Sequence, residues 1–408
     1  MAEYNTLDDF DIENKTILLR VDFNMPLDKE TFEILDTTRI ERVLPTINEL
    51  VDKNAKTVIL AHQGRQGSWD FMSLERHAKA LENLLGEGVE YCDDIFGEKA
   101  KNAIKNLQNG EVLLLGNVRR FNGETDKKSA EEHSRSELVQ NLYPLADIFI
   151  NDAFAAAHRA QCSLIGFTTV LPSCAGRLLE KELTTLGEIM TDPKKPSVFL
   201  FGGAKFYDVV KTIEKLLENK TADKVILTGM PANAFLKAQG VNLGDKNEEM
   251  LAKEGTPENY EEIKQLLAKY KDNIYLPTDF AVEENTNRNE IDTTELPTQY
   301  NLYDIGEKSI ENFKNIIDDA KTVFLSGPCG VFENPLFMKG TEEIFKYIAG
   351  IDTFSIVGGG HTVAAVEKLG LDDKMGHIST GGGSLEKFMM GEKLPVVEAL
   401  KTAKNKKF

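Results

Sequence analysis

Cationic side chains fall just beyond short apolar segments in the first 160 residues. RVDFNMP presents Arg20, Asp22 and Asn24, AHQGR presents His62 and Arg65, GNVRRF presents Arg119 and Arg120, and NDAFAAAHRA leads to His158 and Arg159. A lone arginine beside a strand has an ordinary explanation as a surface ion-pair partner. Five at comparable strand exits ask for another. The guanidinium fork meets carboxylate and phosphate oxygens two at a time, so arginines converging on one crevice suit a small molecule carrying two or three negative charges. Arg39 joins them from the first turn of a helix in TTRIERVLPTINEL, marked by Ile40, Val43, Leu44, Ile47 and Leu50, with Thr37 or Thr38 as its cap and Pro45 as a bend. His62 suits a cationic or donor role at such an anion, and His158 has the weaker claim.

The second half carries a complementary feature, glycine turns between an apolar run and a helical pattern. SVFLFGGAKFYDVV holds Gly202, Gly203 and Lys205, FSIVGGGHTVAAVEKLG holds Gly358 to Gly360, HISTGGGSLEKFMMG holds Gly381 to Gly383, and VILTGMPANAFLKAQG has a milder version at Gly229. Glycine lets the backbone approach a ligand, and the N-terminus of the following helix offers free N–H groups and a partial positive charge to phosphate. One such turn is equally explained by a tight strand-to-helix connection. Three in one half point to a nucleotide. Lys205 beside its turn is placed to follow a phosphoryl group through transfer, unless it is simply a solvent-facing lysine. Glu333, at the end of SGPCGVFENP, suits the ribose hydroxyls or merely charges a loop.

These residues need a scaffold of strands that end together. Apolar runs rich in Val, Ile and Leu, each followed by a turn and a helical pattern, predict parallel α/β units. The expected strands are Thr16 to Val21, Thr57 to Ala61, Val112 to Leu115 and Asp147 to Asn151, then Val198 to Phe201, Lys224 to Thr228, Asn273 to Leu276, Thr322 to Leu325, Thr353 to Val357 and Met375 to Ser379. Ligands of open α/β sheets bind beyond the carboxyl ends of the strands, where the arginines and the glycines lie. Between the two sets, AGRLLEKELTTLGEIM (175 to 190) has helical spacing and predicts one long helix joining two lobes, stopped by TDPKKPS. The charged stretches at 131–137 and 247–262 read as solvated helix faces and loops, and the basic end KTAKNKKF as a flexible terminus.

At 408 residues, with 41% hydrophobic and 28% charged residues, the chain is long enough for two cores. A net charge of −18 disfavours nucleic acid and anionic membranes, and makes a local cluster of arginine more telling. Cys92, Cys162, Cys174 and Cys329 show no metal-ligand spacing and read as reduced thiols. The acidic start lacks a signal-peptide pattern and no run of 18 apolar residues occurs, so a cytoplasmic location is expected.

RVDFN, AHQGR, NVRRF, NDAFAAAHR, AGRLLEKEL, FGGAK, GPCGVFE, GGGHT and STGGGSLE, spread from residue 20 to residue 386, together resemble the signature segments of the phosphoglycerate kinase family, in its archaeal branch. The resemblance implies two Rossmann-like lobes: residues 1–174, with 391–408 packing back, binding the phosphoglycerate; an interlobe helix at 175–190; and residues 191–390 binding the nucleotide. It implies 3-phosphoglycerate or 1,3-bisphosphoglycerate on Asp22, Phe23, Asn24, Arg39, His62, Gln63, Gly64, Arg65, Arg119 and Arg159. It implies Mg-ADP or Mg-ATP on Gly203, Lys205, Glu333, Gly359, Gly360, His361 and Thr362. Arg39 and Lys205 stabilise the moving phosphoryl in this scheme, the transfer is in line after hinge closure, and the protein works as a monomer or weak oligomer. An acyl-phosphate oxygen is already an ionised carboxylate, so no base is required.

Four positions depart from the family pattern. His361 stands where many members carry an aspartate near the metal, Val209 in place of a second lysine, Ser326 in place of an asparagine and Gly116 in place of a glutamate. Imidazole is a poor magnesium ligand, so no protein ligand is assigned to Mg2+. A dinucleotide-dependent oxidoreductase would carry an intact G-x-G-x-x-G, which the run His361-Thr362-Val363 interrupts; a P-loop enzyme would carry G-x-x-x-x-G-K-[ST], which is absent. A non-catalytic scaffold would have no use for both Arg39 and Lys205.

Overall fold

Continuous runs of Ile, Leu, Val and Phe with no polar alternation form strands buried on both faces, as in parallel sheets covered by helices. In the computed structural model, which describes residues 3–407, the strands of the first half are Thr16–Arg20 (β1), Lys56–Leu60 (β2), Val89–Cys92 (β3), Val112–Leu115 (β4), Ile148–Asn151 (β5) and Ser173–Ala175 (β6). They make one parallel sheet in the order β3-β4-β2-β1-β5-β6. The four strands expected from sequence lie side by side at its centre. β3 and β6 were not expected: β3 reads VEYC and is only partly buried, while β6 is a three-residue stretch of Ser, Cys and Ala.

The second half holds Ser197–Phe201 (β7), Lys224–Leu227 (β8), Ile274–Tyr275 (β9), Asp279–Glu284 (β10), Asn287–Asp292 (β11), Leu302–Ile305 (β12), Thr322–Ser326 (β13), Phe354–Gly358 (β14) and His377–Ile378 (β15). A parallel sheet runs β15-β14-β13-β7-β8-β9, and a small antiparallel sheet runs β11-β10-β12. The chain divides into two compact units: residues up to Thr184 with those from Lys393 onward, and Thr185–Glu392. No helix among the described residues is long and apolar enough to cross a membrane.

The helix Thr38–Asp52 (α1) covers the first sheet with Ile40, Val43, Ile47 and Leu50, and continues through Pro45. Its start differs from the expectation. Thr37 occupies the cap position, but its hydroxyl donates to Glu41, and Asp36 Oδ1 accepts from the Thr38 N–H at 2.8 Å. The helix expected at 175–190 is Arg177–Thr191 (α2), and the boundary between the two units falls within it. The stretch 247–262 belongs to two helices, Asp245–Glu254 and Pro257–Tyr270. Pro395–Lys404 lies in the first unit, where the Val396 N–H donates to Ala157 O at 3.2 Å.

Asp152, just past β5, binds this unit together. It is fully buried, accepts from Thr46 Oγ1 of α1 at 2.6 Å and from the Leu179 N–H of α2 at 2.8 Å, and Thr46 Oγ1 in turn accepts from the Arg177 N–H at 2.9 Å. Burial pushes its carboxyl from the ordinary 3.8 up to about 7, against the hydrogen bonds from Thr46, Leu179 and Leu178. A carboxyl raised in the fold favours the folded state fully below its unfolded value and loses that contribution as pH climbs through about 7. Asp152→Asn cannot titrate, so its unfolding temperature relative to the parent should rise from pH 5 to about pH 7 and level off above it. A difference that stays flat across that range would contradict the shift.

Candidate active site

β4, β2, β1 and β5 are adjacent and parallel, so the segments that leave their carboxyl ends share one rim. Arg65, Arg119 and Arg159 line a single cavity of about 460 Å³ with Gln66, Phe121, Asn122, Thr125 and Gln161. No carboxylate is among the lining residues. Burial, then the charges of Arg159 and Arg20, push the Arg119 guanidinium down to about 10, and Arg159 is lowered by burial and by Arg65 and Arg39, with Asp22 opposing. The cations therefore repel one another in a partly desolvated pocket, which an anion would relieve. Buried Arg119 donates to Gly64 O while its Nε has no partner, and the Gln161 Oε1 is likewise buried and unpaired.

Beside the cavity, Asp22 pairs with Arg39 at 2.7 Å and faces His62 Nδ1 at 4.0 Å. Burial raises the Asp22 carboxyl, but Arg39, the Asn24 N–H and Arg20 outweigh it and hold it well below the usual carboxylate range. His62 moves the other way. Burial, with Arg20, Arg119 and Arg159 nearby, takes it well below 6.5 despite Asp22. With no bound anion beside it, His62 is therefore held as the neutral imidazole. His158 accepts from Arg159 Nε at 3.1 Å, so it steadies that arginine.

Three residues named from sequence are turned inward. Phe23 is part of the core. Gln63 is fully buried and holds the Met25 backbone at both ends of its carboxamide, at 2.9 and 3.1 Å. Gly64 has φ +65° and a side chain there would strike the Asp70 backbone at 2.5 Å. Its N–H donates to Asn24 Oδ1 at 2.8 Å, which ties the first two strand exits together.

Sequence reasoning placed Arg20 at a strand exit without giving it a role. It is fully buried under the cluster, donating through Nε to Ser163 Oγ at 2.7 Å, lying 3.3 Å from His62 Nδ1 and 4.0 Å from Glu124. Glu124 accepts from the Ser163 N–H at 2.9 Å and its hydroxyl at 2.6 Å. Nothing in the spacing of Glu124 or Ser163 announces this, because Glu124 reaches Arg20 from a turn and Ser163 from the short helix Cys162–Ile165.

In the second unit the glycine turns follow β7, β8, β13, β14 and β15 at one end of the sheet. A Cβ on Gly202 would lie 2.2 Å from Pro328 O, and one on Gly327 would lie 2.3 Å from the Gly202 carbonyl carbon, so the two loops meet backbone to backbone. Thr362 is buried and accepts from the Gly327 N–H at 2.6 Å, fixing the third turn to the fourth. Gly359 has φ +87°, and the helix that follows starts at Gly360, with His361 in its first turn.

Two cavities flank these turns. The smaller, about 90 Å³, is lined by Lys205, Ser326, Gly359 and Gly382 together with Asp208, Val209 and Glu386. Burial and Asp208 raise the Glu386 carboxyl, and Lys205 lowers it, so these charges interact. The other, about 250 Å³, is mostly apolar, with Met230, Met250, Leu302, Tyr303, Pro328 and Val331 beside Gly203, Gly229, Glu333 and His361. No group of three His, Cys, Asp or Glu able to hold a metal occurs among the described residues. Of the departures from the family pattern, Val209 and Ser326 line the small cavity, and Gly116 donates its N–H to Asp94 O at 3.0 Å, where a Cβ would already be tight against the Asp94 backbone.

Residues 7–392 match the family described as phosphoglycerate kinase. The chain is 47% identical over 403 residues to the phosphoglycerate kinase of Methanobacterium bryantii, covering 99% of this chain and 98% of the relative, and 46% identical over 404 residues to that of Methanococcus maripaludis, covering 97% of each. Its fold matches the crystal structure of phosphoglycerate kinase from Pyrococcus horikoshii with a TM-score of 0.90 at 40% identity over 98% of both chains, and that from Coxiella burnetii with 0.83 at 30% over 98% of this chain and 100% of the other. The chain therefore belongs to the phosphoglycerate kinase family.

Proposed function

We propose that the arginine cavity of the first unit holds the phosphorylated acid and that the glycine turns of the second hold the nucleotide, in the family's transfer of a phosphoryl group between 1,3-bisphosphoglycerate and ADP. The observation that carries this reading is a cavity lined by Arg65, Arg119 and Arg159 and by no carboxylate, in a chain whose net charge is −18. Bidentate guanidinium groups suit the substrate's phosphate, while Arg39, held by Asp22, is the arginine assigned to the reacting end. In the direction of ATP use, a carboxylate oxygen of 3-phosphoglycerate attacks the γ-phosphorus, the bond to the β-phosphate oxygen breaks, and ADP departs with the electron pair. No proton moves, so alignment and neutralisation of charge are what the protein supplies.

On the nucleotide side, Lys205 is assigned to the transferring phosphoryl. The backbone of Gly203, Gly359 and Gly360 and the N-terminus of the Gly360–Lys368 helix suit the phosphates, Glu333 the ribose and His361 the rim of the apolar cavity. Mg2+ keeps several waters and takes only one or two carboxylates besides phosphate oxygens. Asp208 and Glu386, beside Lys205, fit that demand without the three-residue cluster that the described residues lack, and they are the groups that would hold it; the ion neutralises phosphate charge when bound with the nucleotide. Membership in a glycolytic kinase family and four free cysteines support a cytoplasmic location.

The assignment of the acid predicts a split. Arg65→Ala, an exposed position, should raise KM for 3-phosphoglycerate about tenfold or more in a coupled assay, as expected for loss of a charge-assisted contact, while the Kd for ADP stays unchanged. Equal loss on both substrates, or none on the acid, would remove the acid from this cavity.

A further inference from the structure

Between β1 and α1 the chain makes a hairpin that closes on itself through its backbone. The Leu35 N–H donates to Pro26 O at 3.0 Å, the Asp28 N–H to Glu33 O at 2.9 Å and the Phe32 N–H to Asp28 O at 3.0 Å, while Asp28 Oδ1 accepts from the Glu30 and Thr31 N–H groups at 2.9 and 2.8 Å. This closure holds Phe32 at φ +56°. Left-handed backbone suits glycine and is tolerated by asparagine, as at Asn14, Asn54 and Asn285, but a bulky aromatic there is strained and calls for a reason. Core packing does not supply one, because Phe32 is 40% exposed.

What the Phe32 ring meets is Trp69, the one tryptophan of the chain, itself 49% exposed; the ring centres are 6.4 Å apart and the planes are tilted by 42°. That separation is within the range of favourable aromatic pairs. Two further links run the same way. Lys29 Nζ lies 5.8 Å from the centre of the Trp69 ring, and Glu33 pairs with Arg76 at the start of the helix Glu75–Leu85. Trp69 follows directly on the turn that carries Arg65, in which the Arg65 N–H donates to Ser68 Oγ and the Ser68 N–H to Arg65 O, both at 2.9 Å. Gly67 in that turn has φ +81° and nothing beyond its chain neighbours within 4 Å of where a Cβ would stand, so the tip of the turn has no packing of its own. An anchor at Trp69 lowers the cost of ordering Arg65 around a ligand. The stems of the hairpin lead back to Asp22 and Asn24 and forward to Arg39. The aromatic pair therefore ties the two sides of the arginine site together: Arg65 in the cavity wall, and Arg39 with Asp22 beside the cavity.

We propose that Phe32 and Trp69 form a clasp that sets the Arg65 turn against the segment leading to Arg39, and that both are positioning residues for the acid substrate. The inference rests on the assignment of the arginine cavity to that substrate and deepens it.

Steady-state kinetics with 3-phosphoglycerate and ATP, read beside tryptophan emission and unfolding temperature, test it. Phe32→Gly removes the ring and relieves the left-handed backbone, so its unfolding temperature should hold or rise while KM for 3-phosphoglycerate climbs about three- to tenfold, the worth of one aromatic pair, and KM for ATP stays where it was. Trp69 emission should move to longer wavelength in that variant. Unchanged emission means that the rings do not meet in solution and overturns the clasp. Trp69→Ala should raise the same KM by a similar factor, the double variant should be no worse than either single one, and Trp69→Phe, which keeps an aromatic partner, should stay near the parent. Effects that multiply in the double variant, or a Trp69→Ala that acts while Phe32→Gly does not, overturn the clasp, as does a lower unfolding temperature with KM unchanged. Arg65→Ala keeps the two readings apart. If it raises KM for 3-phosphoglycerate while neither aromatic variant does, only the clasp falls; if it does not, the cavity assignment falls and the inference with it.

Discussion

Lys205→Ala should lower kcat about 100- to 1,000-fold, the loss found when one preorganised donor at a developing charge is removed, while the Kd for ADP changes only a few-fold. The asymmetry follows from position. Lys205 is exposed and lines the small cavity with Gly359, Ser326 and Gly382, whereas the apolar cavity that would hold the base is lined without it. Its ammonium stands among the charges that set the Glu386 carboxyl, so its removal should also push that carboxyl further up in the ligand-free enzyme. Lys205→Arg keeps the charge but replaces a compact ammonium with a broad fork, and should recover only part of the rate. Coupled-assay kcat beside calorimetric Kd for ADP distinguishes the cases. A kcat within threefold of the parent would remove Lys205 from the transfer step.

The Lys205 and arginine positions were readable from sequence because they follow strands that announce themselves. ILL of β1, VIL of β2, VLLL of β4, IFI of β5 and VFLF of β7 are unbroken apolar runs, and a parallel sheet places whatever follows its runs on its own rim. The antiparallel sheet β10 to β12 was not readable, since β11 is NRNEID, nowhere buried and without alternation of apolar residues. Direction was the other gap. Spacing placed Arg20 and Arg65 in the same class of strand exit, yet Arg20 points into the interior and Arg65 out of it, because Ser163 and Glu124 come from elsewhere to receive the first. Gln63 and Thr362 show the same limit. Their segments reach the site, while their side chains spend their hydrogen bonds on Met25 and Gly327.

Arg20→Met should destabilise the protein by about 3–5 kcal/mol, the cost of removing one partner of a buried ion pair. Arg20 and Glu124 are 0% and 1% exposed and 4.0 Å apart, with Ser163 joining them through both its hydroxyl and its N–H. Burial drives the Arg20 guanidinium down and the Glu124 carboxyl up, and Arg20 is the leading influence that draws Glu124 back. Without Arg20 the carboxylate must either stay charged in a dry site or take up a proton. For a unit of this size the loss corresponds to a fall of about 10 °C in unfolding temperature. Glu124→Gln added to Arg20→Met removes the stranded charge and should restore part of the loss, whereas the same change alone should destabilise, since it leaves Arg20 unpaired. If the double variant is no more stable than Arg20→Met, lost packing rather than stranded charge accounts for the effect. The pair also carries a consequence for the site above it. His62 lies 3.3 Å from Arg20 and is kept neutral partly by that charge, so Arg20→Met should raise the His62 pKa toward its ordinary 6.5 and make 3-phosphoglycerate binding vary with pH in a way the parent's does not.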